Sequence, residues 1–481
     1  MRILVTGATG YVGGRLVPRL LEVGHDVCVL VRQAGRVTGR FDEQRVGVIE
    51  GDLLVPASLE GKLGGFDAAY YLVHSMMGGA GFDDRDTQAA SNFAAAASAC
   101  PHVIYLGGLM PTDDAGSPHL SSRAATGRVL AERLPGRVTE FRAGPIIGSG
   151  SASFEMVRYL TERLPVMVTP RWVSNVVEPI AVRDVLAYLV AALNVQPAGV
   201  VEIGAGALTF RDMMQRYAQR RGLSRRWIIA MPLLAPRLAA RGVGLVTAIP
   251  NGLAVPLVEG VVKPLRADKR KANALFADIQ PATYEQALDM ALGRVGQNMV
   301  ETRWSGSLGQ RSGYELADQQ GLIREVRRMR VDAPCTAVFE VFSGLGGERG
   351  WLAWNWAWML RGLLDKLIGG PGLRRGRRDP DTLLEGEAVD FWRVERIERP
   401  NLLRLRAEMK LPGRAWLQFE AVDIGQDRTE LTQTALFEPK GLPGFLYWYA
   451  LYPLHVLIFR DMIRAVARRS VSGRAARTDA A

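Results

Sequence analysis

The first sixteen residues contain a glycine-rich turn between two apolar segments, and no other stretch constrains the fold as strongly. Residues 3–5 are apolar and mostly β-branched, which is typical of a buried parallel strand. Gly7, Gly10 and Gly13 follow at intervals of three residues. Beyond the turn, apolar residues recur at the spacing of one helical face, namely Val12, Leu16, Leu20 and Leu21. The order strand, glycine turn and helix predicts a βα unit.

A turn of this kind is suited to binding an anion. Gly7 permits the turn, Gly10 lets the backbone approach a pyrophosphate, and Gly13 lets helix and strand pack closely. The N-terminus of the helix adds N–H donors and the positive end of the helix dipole. The predicted nucleotide contacts in this turn are Gly7, Thr9, Gly10, Tyr11, Val12 and Gly13. The alternative is an ordinary βα turn without a ligand.

The spacing Gly-x-x-Gly-x-x-Gly, with Thr6 before it and Tyr11-Val12 inside it, resembles that of a known family. This family comprises the extended and atypical short-chain dehydrogenases/reductases, including the NmrA-like group. The resemblance extends over most of residues 1–295. It implies an α/β fold with a doubly wound parallel Rossmann sheet that binds NAD or NADP.

The residue after the second predicted strand indicates which dinucleotide binds. Residues 26–31 form this strand, Arg32 follows it directly, and Arg36 comes shortly after. In NAD-binding folds an acidic residue near this position binds the ribose 2′-hydroxyl, whereas an arginine accommodates the 2′-phosphate of NADP. Because residues 26–31 end without a carboxylate, the sequence favours NADP. NAD remains open, since the two arginines could simply be solvated.

Two later strand ends are also expected to contact the cofactor. In the family that the chain resembles, a pair like Asp52-Leu53, after residues 46–49, lies beside the adenine. The end of the strand at residues 68–73 passes under the cofactor ribose, which implies that His74 faces the cofactor. A histidine at the end of a strand can equally be structural.

The family's catalytic set is replaced in this chain. The family carries Ser or Thr at the end of the fifth strand and Tyr-x-x-x-Lys on the next helix. Here the predicted fifth strand, residues 103–106, ends in Gly107 and Gly108. The segment His119-Leu-Ser-Ser-Arg123 has the same three-residue gap. We expect His119 to donate a proton near neutral pH and Arg123 to hold ribose hydroxyls or a phosphate. The alternative is that this segment merely begins a helix, with Ser117 at its cap and Pro118 in its first turn.

The composition indicates which classes of partner the protein binds and in which cellular compartment it is expected. The net charge of +11 is compatible with anionic partners, but no basic stripe with interleaved aromatic residues is present, so nucleic acid is not expected. The three cysteines are widely separated, which is typical of a reducing cytoplasm. The five histidines have no metal-ligand spacing, so no metal site is predicted. Met1 and Arg2 run directly into the first strand, and no signal peptide is expected.

The chain is long enough for more than one domain. Residues 1–295 are predicted to form the NAD(P)-binding domain with its substrate lobe. Ser-Gly pairs and weak periodicity indicate a linker over residues 296–321. A second domain is predicted over residues 322–470, and residues 471–481 are expected to be a disordered tail.

Residues 322–470 read as a strand, short helices, four further strands and a long C-terminal helix. This order resembles the α+β helix-grip fold of the START and polyketide-cyclase superfamily. The stretches beginning at Asp390, Ala407 and Phe445 resemble an uncharacterised domain that often follows an NmrA-like unit. The superfamily implies a cavity for a small apolar ligand. The tryptophans at positions 351, 354, 356, 358, 392 and 416 suit such a cavity or a filled core equally well.

Residues 441–459 carry no charge over a length that approaches a membrane span. Pro443, Pro453, His455 and the immediate change to Arg460 favour a core helix instead. Peripheral membrane contact, supported by the positive net charge, is the alternative. The cytoplasmic location could therefore include association with a membrane.

Two functions from different classes remain after these observations. The first is an NADPH-dependent oxidoreductase that acts on an apolar carbonyl or enone, with His119 and Arg123 in place of Tyr and Lys. The second is a non-catalytic NADP-binding sensor or assembly factor with a ligand-binding second domain. The replaced Ser-Tyr-Lys set favours the second function, whereas the glycine turn fits both. The sequence does not reveal the oligomeric state.

Overall fold

The computed structural model describes residues 1–34, 37, 41, 45–74, 82–111, 116–231, 251–296, 314–319, 321–367 and 383–478. The chain forms two compact units, Met1–Gly309 and Gln310–Ala481. Arg36 lies outside the described residues.

The first unit alternates strands and helices along most of its length. Its strands are β1 (Arg2–Thr6), β2 (Asp26–Val31), β3 (Val46–Glu50), β4 (Ala68–Tyr71), β5 (Val103–Gly108), β6 (Val138–Ala143), β7 (Ile146–Ile147), β8 (Val166–Pro170), β9 (Val176–Val177), β10 (Ile180–Ala181), β11 (Gly199–Ile203), β12 (Leu208–Thr209) and β13 (Trp227–Met231). Its described helices are α1 (Gly13–Glu22), α2 (Phe82–Ala96), α3 (Pro118–Arg133), α4 (Ala152–Arg163), α5 (Val182–Ala191), α6 (Phe210–Arg220), α7 (Asn251–Glu259), α8 (Arg270–Leu275) and α9 (Tyr284–Gly296).

Seven of these strands form one parallel sheet in the order β11-β6-β5-β4-β1-β2-β3. The order reverses between β1 and β4, so the chain winds outward in both directions from this point. Ligands of such sheets bind outside the carboxyl ends of the strands at the reversal. The predicted doubly wound Rossmann sheet is confirmed.

Both faces of this sheet are covered by helices. Ile3 and Val5 belong to a core cluster that includes Leu16 of α1, whereas Leu4 between them belongs to the opposite cluster with Phe93 of α2. Side chains of a strand alternate between the two faces. An apolar run without alternation is therefore the expected sequence of a strand that is buried on both sides.

A smaller lobe adjoins the carboxyl ends of the sheet. It contains the two-stranded pairs β7–β10, β8–β13 and β9–β12. Helices α4, α6 and α9 share its core through Phe154, Met213 and Leu288. This lobe occupies the position along the chain where a substrate lobe was predicted.

The second unit is built on an antiparallel sheet. Its strands are β14 (Tyr314–Gln319), β15 (Leu322–Val331), β16 (Ala388–Val389), β17 (Trp392–Glu398), β18 (Leu402–Ala407), β19 (Gly413–Asp423) and β20 (Thr429–Pro439), and its described helices are α10 (Cys335–Ser343), α11 (Asn355–Leu367) and α12 (Gly441–Thr478). The sheet order is β14-β15-β20-β19-β18-β17-β16, with every pair antiparallel. Helix α12 packs along β15 and β20 and contacts α10.

Two predicted segments differ from the structure. The predicted linker contains β14, which pairs with β15 as the first hairpin of the sheet. The predicted disordered tail is helical through Thr478, because α12 continues beyond residue 470. Strand β14 depends on its pairing with β15, which the local composition of the segment does not reveal.

Candidate functional site

The glycine turn between β1 and α1 has no room for a side chain at Gly7 or at Gly13. Gly7 has a φ of +71°, and a Cβ there would lie 2.5 Å from the carbonyl oxygen of Leu72. A Cβ on Gly13 would approach the carbonyl oxygen of Gly7 equally closely. The N–H of Gly10 donates to the same oxygen of Gly7 at 2.9 Å. The turn is therefore a tight backbone cradle at the N-terminus of α1, as an anion site requires.

Thr6 joins the two strands on either side of the sheet reversal. Its hydroxyl donates to the carbonyl oxygen of Tyr70 at 3.0 Å and accepts from the N–H of Leu72 at 3.2 Å. Thr6 is fully buried. These hydrogen bonds hold the start of the turn against the end of β4. Leu72, which takes part in one of them, is two residues before His74.

The side chains within the turn are held by the start of α1. The guanidinium of Arg15 lies over the ring of Tyr11, 4.5 Å from its centroid, and donates to the carbonyl oxygen of Ser149 at 2.8 Å. Val12 occupies the N-cap of α1, which has no side-chain cap, and Thr9 lies between the first two glycines. The N–H groups of the first turn are consequently not blocked by a capping side chain.

The structure places a carboxylate beside the arginine that predicts NADP. Arg32 is exposed directly after β2. Glu50, the last residue of β3, is the register partner of Val31, and its Oε1 accepts from the N–H of Ala34 at 2.5 Å. The acidic group at this edge comes from the neighbouring strand, so the order of residues along β2 did not reveal it.

The predicted adenine-binding pair lies in a compact loop after β3. Asp52 Oδ1 accepts from the N–H of Leu54 at 3.0 Å, and the N–H of Asp52 donates to Ser58 Oγ at 2.9 Å. Leu53 is buried, and its carbonyl oxygen accepts from Asn92 Nδ2 at 2.7 Å. These contacts fix the conformation of the loop at the carboxyl edge of the sheet.

Three side chains from separate elements form a hydrogen-bonded row next to the glycine turn. His74 Nδ1 lies 2.6 Å from Asp86 Oδ2, and His74 Nε2 lies 3.0 Å from His119 Nδ1. Asp86 belongs to α2, and His119 belongs to the first turn of α3. The hydroxyl of Ser122 also donates to Asp86 Oδ2, at 3.4 Å. We call Asp86, His74 and His119 the histidine relay.

The hydrogen-bond roles in the histidine relay follow from the acceptor at its end. An ionised carboxylate only accepts, so Nδ1 of His74 carries a proton that it donates to Asp86. Burial, together with the smaller effects of the positive charges of Arg123 and His74, lowers the pKa of His119 to about 2, and the carboxylate of Asp86 opposes this shift only weakly. His119 is therefore neutral near pH 7, with one protonated ring nitrogen.

Arg123 lies under the carboxyl end of β5. Its Nη2 donates to the carbonyl oxygen of Leu106 at 2.6 Å, and its own carbonyl oxygen accepts from the hydroxyl of Tyr105 at 2.9 Å. Its Nε is buried and has no hydrogen-bond partner within the described part of the chain. The backbone thus uses one donor of the guanidinium, and a buried donor is left for a bound group.

The structure brings the predicted site residues together in two groups. The glycine turn and His74 meet at the sheet reversal, because Gly7 packs against the backbone of Leu72 and Val73, which directly precede His74. His119 is hydrogen-bonded to His74 there. Arg32, Asp52 and Leu53 lie at the ends of β2 and β3, where an adenosine half is expected. Sequence reasoning missed Asp86, because α2 also carries other acidic residues and no local pattern distinguishes the buried one.

A separate cavity of about 330 Å³ lies on the far side of α1. It is lined by α1, α5 and α9 together with the segment around Gly148 and Ser149. None of the predicted cofactor or catalytic residues lines it. Among the described residues no group of three or more His, Cys, Asp and Glu side chains has the arrangement of a metal site.

Two family models match the chain in separate parts. A model described as NAD(P)H-binding matches residues 7–133, which include the glycine turn, the histidine relay and Arg123. A model described as a protein of unknown function (DUF2867) matches residues 320–462. No curated protein matches the chain. The first unit contains an NAD(P)H-binding domain of the Rossmann type, and no assigned function accompanies the second match.

Several solved structures are similar to this chain over 62–63% of its length. UDP-glucose 4-epimerase from Thermotoga maritima, solved with UDP-glucose, is 16% identical, covers 62% of this chain and 100% of its own, and has a TM-score of 0.47. The Bordetella bronchiseptica enzyme WbmG, in complex with NAD, is 17% identical over 63% and 96% of the two chains, with a TM-score of 0.48. UDP-glucose 4-epimerase from Bifidobacterium longum, in complex with NAD+ and UDP, is 13% identical over 62% and 99%, with a TM-score of 0.47.

Proposed function

We propose that the protein is an NADPH-dependent oxidoreductase that reduces a carbonyl or an enone on an apolar substrate. The observation that carries this proposal is the histidine relay beside the glycine turn. His119 is buried and neutral, and its Nδ1 is held by a second histidine that a buried carboxylate orients. An imidazole held in this way has one ring nitrogen left for a substrate, which is the arrangement of a general acid or base.

The histidine relay lets His119 transfer a proton despite its low pKa. When His74 is protonated, its Nε2–H donates to Nδ1 of His119, whose own proton is then on Nε2. As Nε2 releases that proton to the substrate oxygen, Nδ1 takes the proton of His74, so His119 never carries two. Asp86 stabilises the protonated His74 through its carboxylate charge.

The residues around the turn fit a dinucleotide. The glycines at positions 7, 10 and 13 let the turn fold tightly on its own backbone at the N-terminus of a ten-residue helix, where a side chain at Gly7 or Gly13 would collide with carbonyl oxygens. Arg123 contributes its remaining N–H groups to ribose hydroxyls or a phosphate, and its buried Nε supports this role. Arg32 is the proposed contact for the 2′-phosphate. When bound, the reduced nicotinamide supplies the hydride that accompanies the proton from His119.

The second unit is the proposed holder of the apolar ligand. Its interior contains ring contacts that connect Trp392, Trp351 and Trp358, and a second row that connects Trp448 with His455. The indole N–H groups of Trp358, Trp392 and Trp448 are buried and have no hydrogen-bond partner within the described ranges. Buried donors are normally paired, so a ligand with an acceptor group in an apolar body would complete this interior. This arrangement supports the helix-grip interpretation of the second unit.

The test compares binding with turnover in the full-length protein. NADPH binding is titrated by its fluorescence, and its oxidation is followed with a panel of aliphatic and aromatic ketones and enones. The variant His119→Ala should lose about 100-fold in turnover and bind NADPH as the wild type does. His25→Gln, which changes a histidine distant from the relay along the chain, is the matched control.

Two outcomes would contradict the enzyme proposal. If the wild type binds NADPH but oxidises it with no member of the panel, the alternative of a nucleotide-binding sensor or assembly factor is favoured. If His119→Ala turns over substrate at the wild-type rate, the histidine relay is not the proton source. Native mass spectrometry of the purified protein identifies the apolar compound, if one copurifies, with which to extend the panel.

A further inference from the structure

Helix α11 in the second unit exposes an apolar face to solvent. Trp356, Met359, Leu360, Leu363 and Leu364 are each between 49% and 64% exposed. Their spacing places all five on one side of the helix. The opposite side carries Trp358, which is buried against Phe459 of α12. The exposed side is therefore an additional apolar surface and not the core-facing side of an amphipathic helix.

Helix α12 carries a second exposed row that begins apolar and becomes basic. Leu446, Tyr449 and Leu457 are exposed on one side of its first half. The same helical row continues into three exposed arginines, Arg460, Arg464 and Arg468. We call the α11 face together with the apolar part of this row the α11–α12 surface.

The α11–α12 surface has cations at its margins and no free acidic side chain within the two helices. Their acidic residues are Asp365, which is buried and accepts from the N–H of Lys410, and Asp461, which accepts from Trp354 Nε1 and pairs with Arg460 at 3.0 Å, so that Arg464 and Arg468 are the remaining exposed arginines of the row. Lys410 and Lys440 are exposed, and the N–H of Lys440 donates to the loop that follows Lys410. An apolar surface with basic residues next to it complements a membrane that has anionic headgroups and a hydrocarbon interior.

Helix α12 is long and apolar enough to cross a membrane, by length and composition only, with a mean hydropathy of 1.3 and 28% of its most apolar stretch buried. Its other side is nevertheless committed to the sheet. Trp448 stacks on Phe437, Arg327 donates to the carbonyl oxygen of Val456, and Gln433 contacts Met462. A spanning helix would have to lose these contacts, so a position parallel to the membrane plane fits the structure better.

We infer that the α11–α12 surface docks on an anionic lipid membrane, with its apolar side chains at the level of the acyl chains and the arginines of α12 at the headgroups. Two weak signals, apolar burial and charge attraction, together give stable but reversible binding. The choice of lipid over a protein partner rests on the change from apolar to basic residues along one helical row. This surface is separate from the histidine relay, so the inference does not depend on the proposed oxidoreductase activity.

Vesicle flotation of the full-length protein tests the inference. The wild type should float with vesicles of phosphatidylcholine and phosphatidylserine, and at least about tenfold less with phosphatidylcholine alone or in high salt. The double variant Met359→Glu, Leu363→Glu should bind anionic vesicles about 100-fold more weakly, since two apolar contacts are replaced by negative charges. Val422→Glu, which changes an exposed apolar residue on β19 of the same unit, should bind as the wild type does.

Each remaining outcome overturns the inference. The inference is contradicted if the wild type does not bind anionic vesicles, or if the double variant binds them as the wild type does. Circular dichroism establishes that the variants are folded. If vesicle binding is absent, the oligomeric state gives the alternative. A dimeric wild type together with a monomeric double variant would assign the surface to a second copy of the chain. The wild-type comparison of vesicle types decides the question even if a variant fails to fold.

Discussion

Nδ1 of His74 lies 2.6 Å from the buried carboxylate of Asp86, and its other ring nitrogen lies 3.0 Å from His119. The three side chains come from the end of β4, from α2 and from α3, so the packing of two helices at the sheet edge aligns them. The orientation of His119 is thereby set by a residue that does not reach the substrate itself. Asp86 is a positioning residue in this sense.

We predict that Asp86→Asn lowers turnover about 100-fold and leaves the dissociation constant for NADPH unchanged. An amide can donate to Nδ1 of His74, which would reverse the tautomer that the relay needs. The measurement is steady-state kinetics over a pH series, because loss of the carboxylate should also shift the pH at which activity falls. Asp84→Asn, an exposed residue on the same helix, is the control. Equal kinetics of the two variants would contradict the relay.

The glycine cradle could be predicted from the sequence, whereas the relay could not. The positions of Gly7, Gly10 and Gly13 between an apolar run and a helical pattern are local information. Whether Asp86 or one of its acidic neighbours is buried depends on how α2 packs against α3, and no spacing along the chain encodes that. Glu50 illustrates the same limit, because it reaches the end of β2 from an adjacent strand.

The periodicity of α11 shows a related limit. Spacing indicates that Trp356, Leu360 and Leu363 share one side of a helix, but it does not indicate whether that side faces a core or solvent. Strand β14 was missed for another reason. It is a strand because it pairs with β15, and its own residues carry no clear alternating pattern. The main sheet and its strand ends were predicted well because strands buried on both faces have a distinctive composition.

We predict that Gly13→Ala weakens NADPH binding at least about tenfold. A Cβ there would lie 2.4 Å from the carbonyl oxygen of Gly7, and backbone on both sides leaves no flexible side chain to move. The helix must shift away from β1, which displaces the N–H donors of the cradle. Fluorescence titration with NADPH measures the effect. Gly64→Ala, where a Cβ meets nothing within 4 Å, should bind NADPH like the wild type.

Arg32 is predicted to decide between the two dinucleotides. Arg32→Ala should raise the dissociation constant for NADPH about tenfold, the equivalent of one lost charged hydrogen bond, and should leave that for NADH nearly unchanged. Parallel titrations with both nucleotides measure the two constants. If the wild type binds NADH more tightly than NADPH, the preference for NADP is wrong. Glu50 would then be the candidate for the ribose contact.

We predict that Thr6→Val destabilises the protein by about 2 kcal/mol. The substitution keeps the shape of the side chain but removes the hydroxyl that joins the carbonyl of Tyr70 and the N–H of Leu72. Both backbone groups would then lack this partner at the sheet reversal. Denaturant unfolding measures the change. Thr169→Val, which removes a longer hydrogen bond at a partly exposed position, should change the stability by much less.

Acid should destabilise the protein through His119. Its pKa is about 2 in the folded protein, mainly because of burial, and 6.5 is the ordinary value expected after unfolding. Below about pH 6.5 the unfolded state binds this proton and the folded state does not, so the free energy of unfolding falls by about 1.4 kcal/mol per pH unit. The variant His119→Gln removes this contribution. Unfolding measured between pH 7 and pH 5 should therefore show a shallower dependence in the variant than in the wild type. Identical slopes would mean that His119 is already protonated, or exposed, in the folded protein.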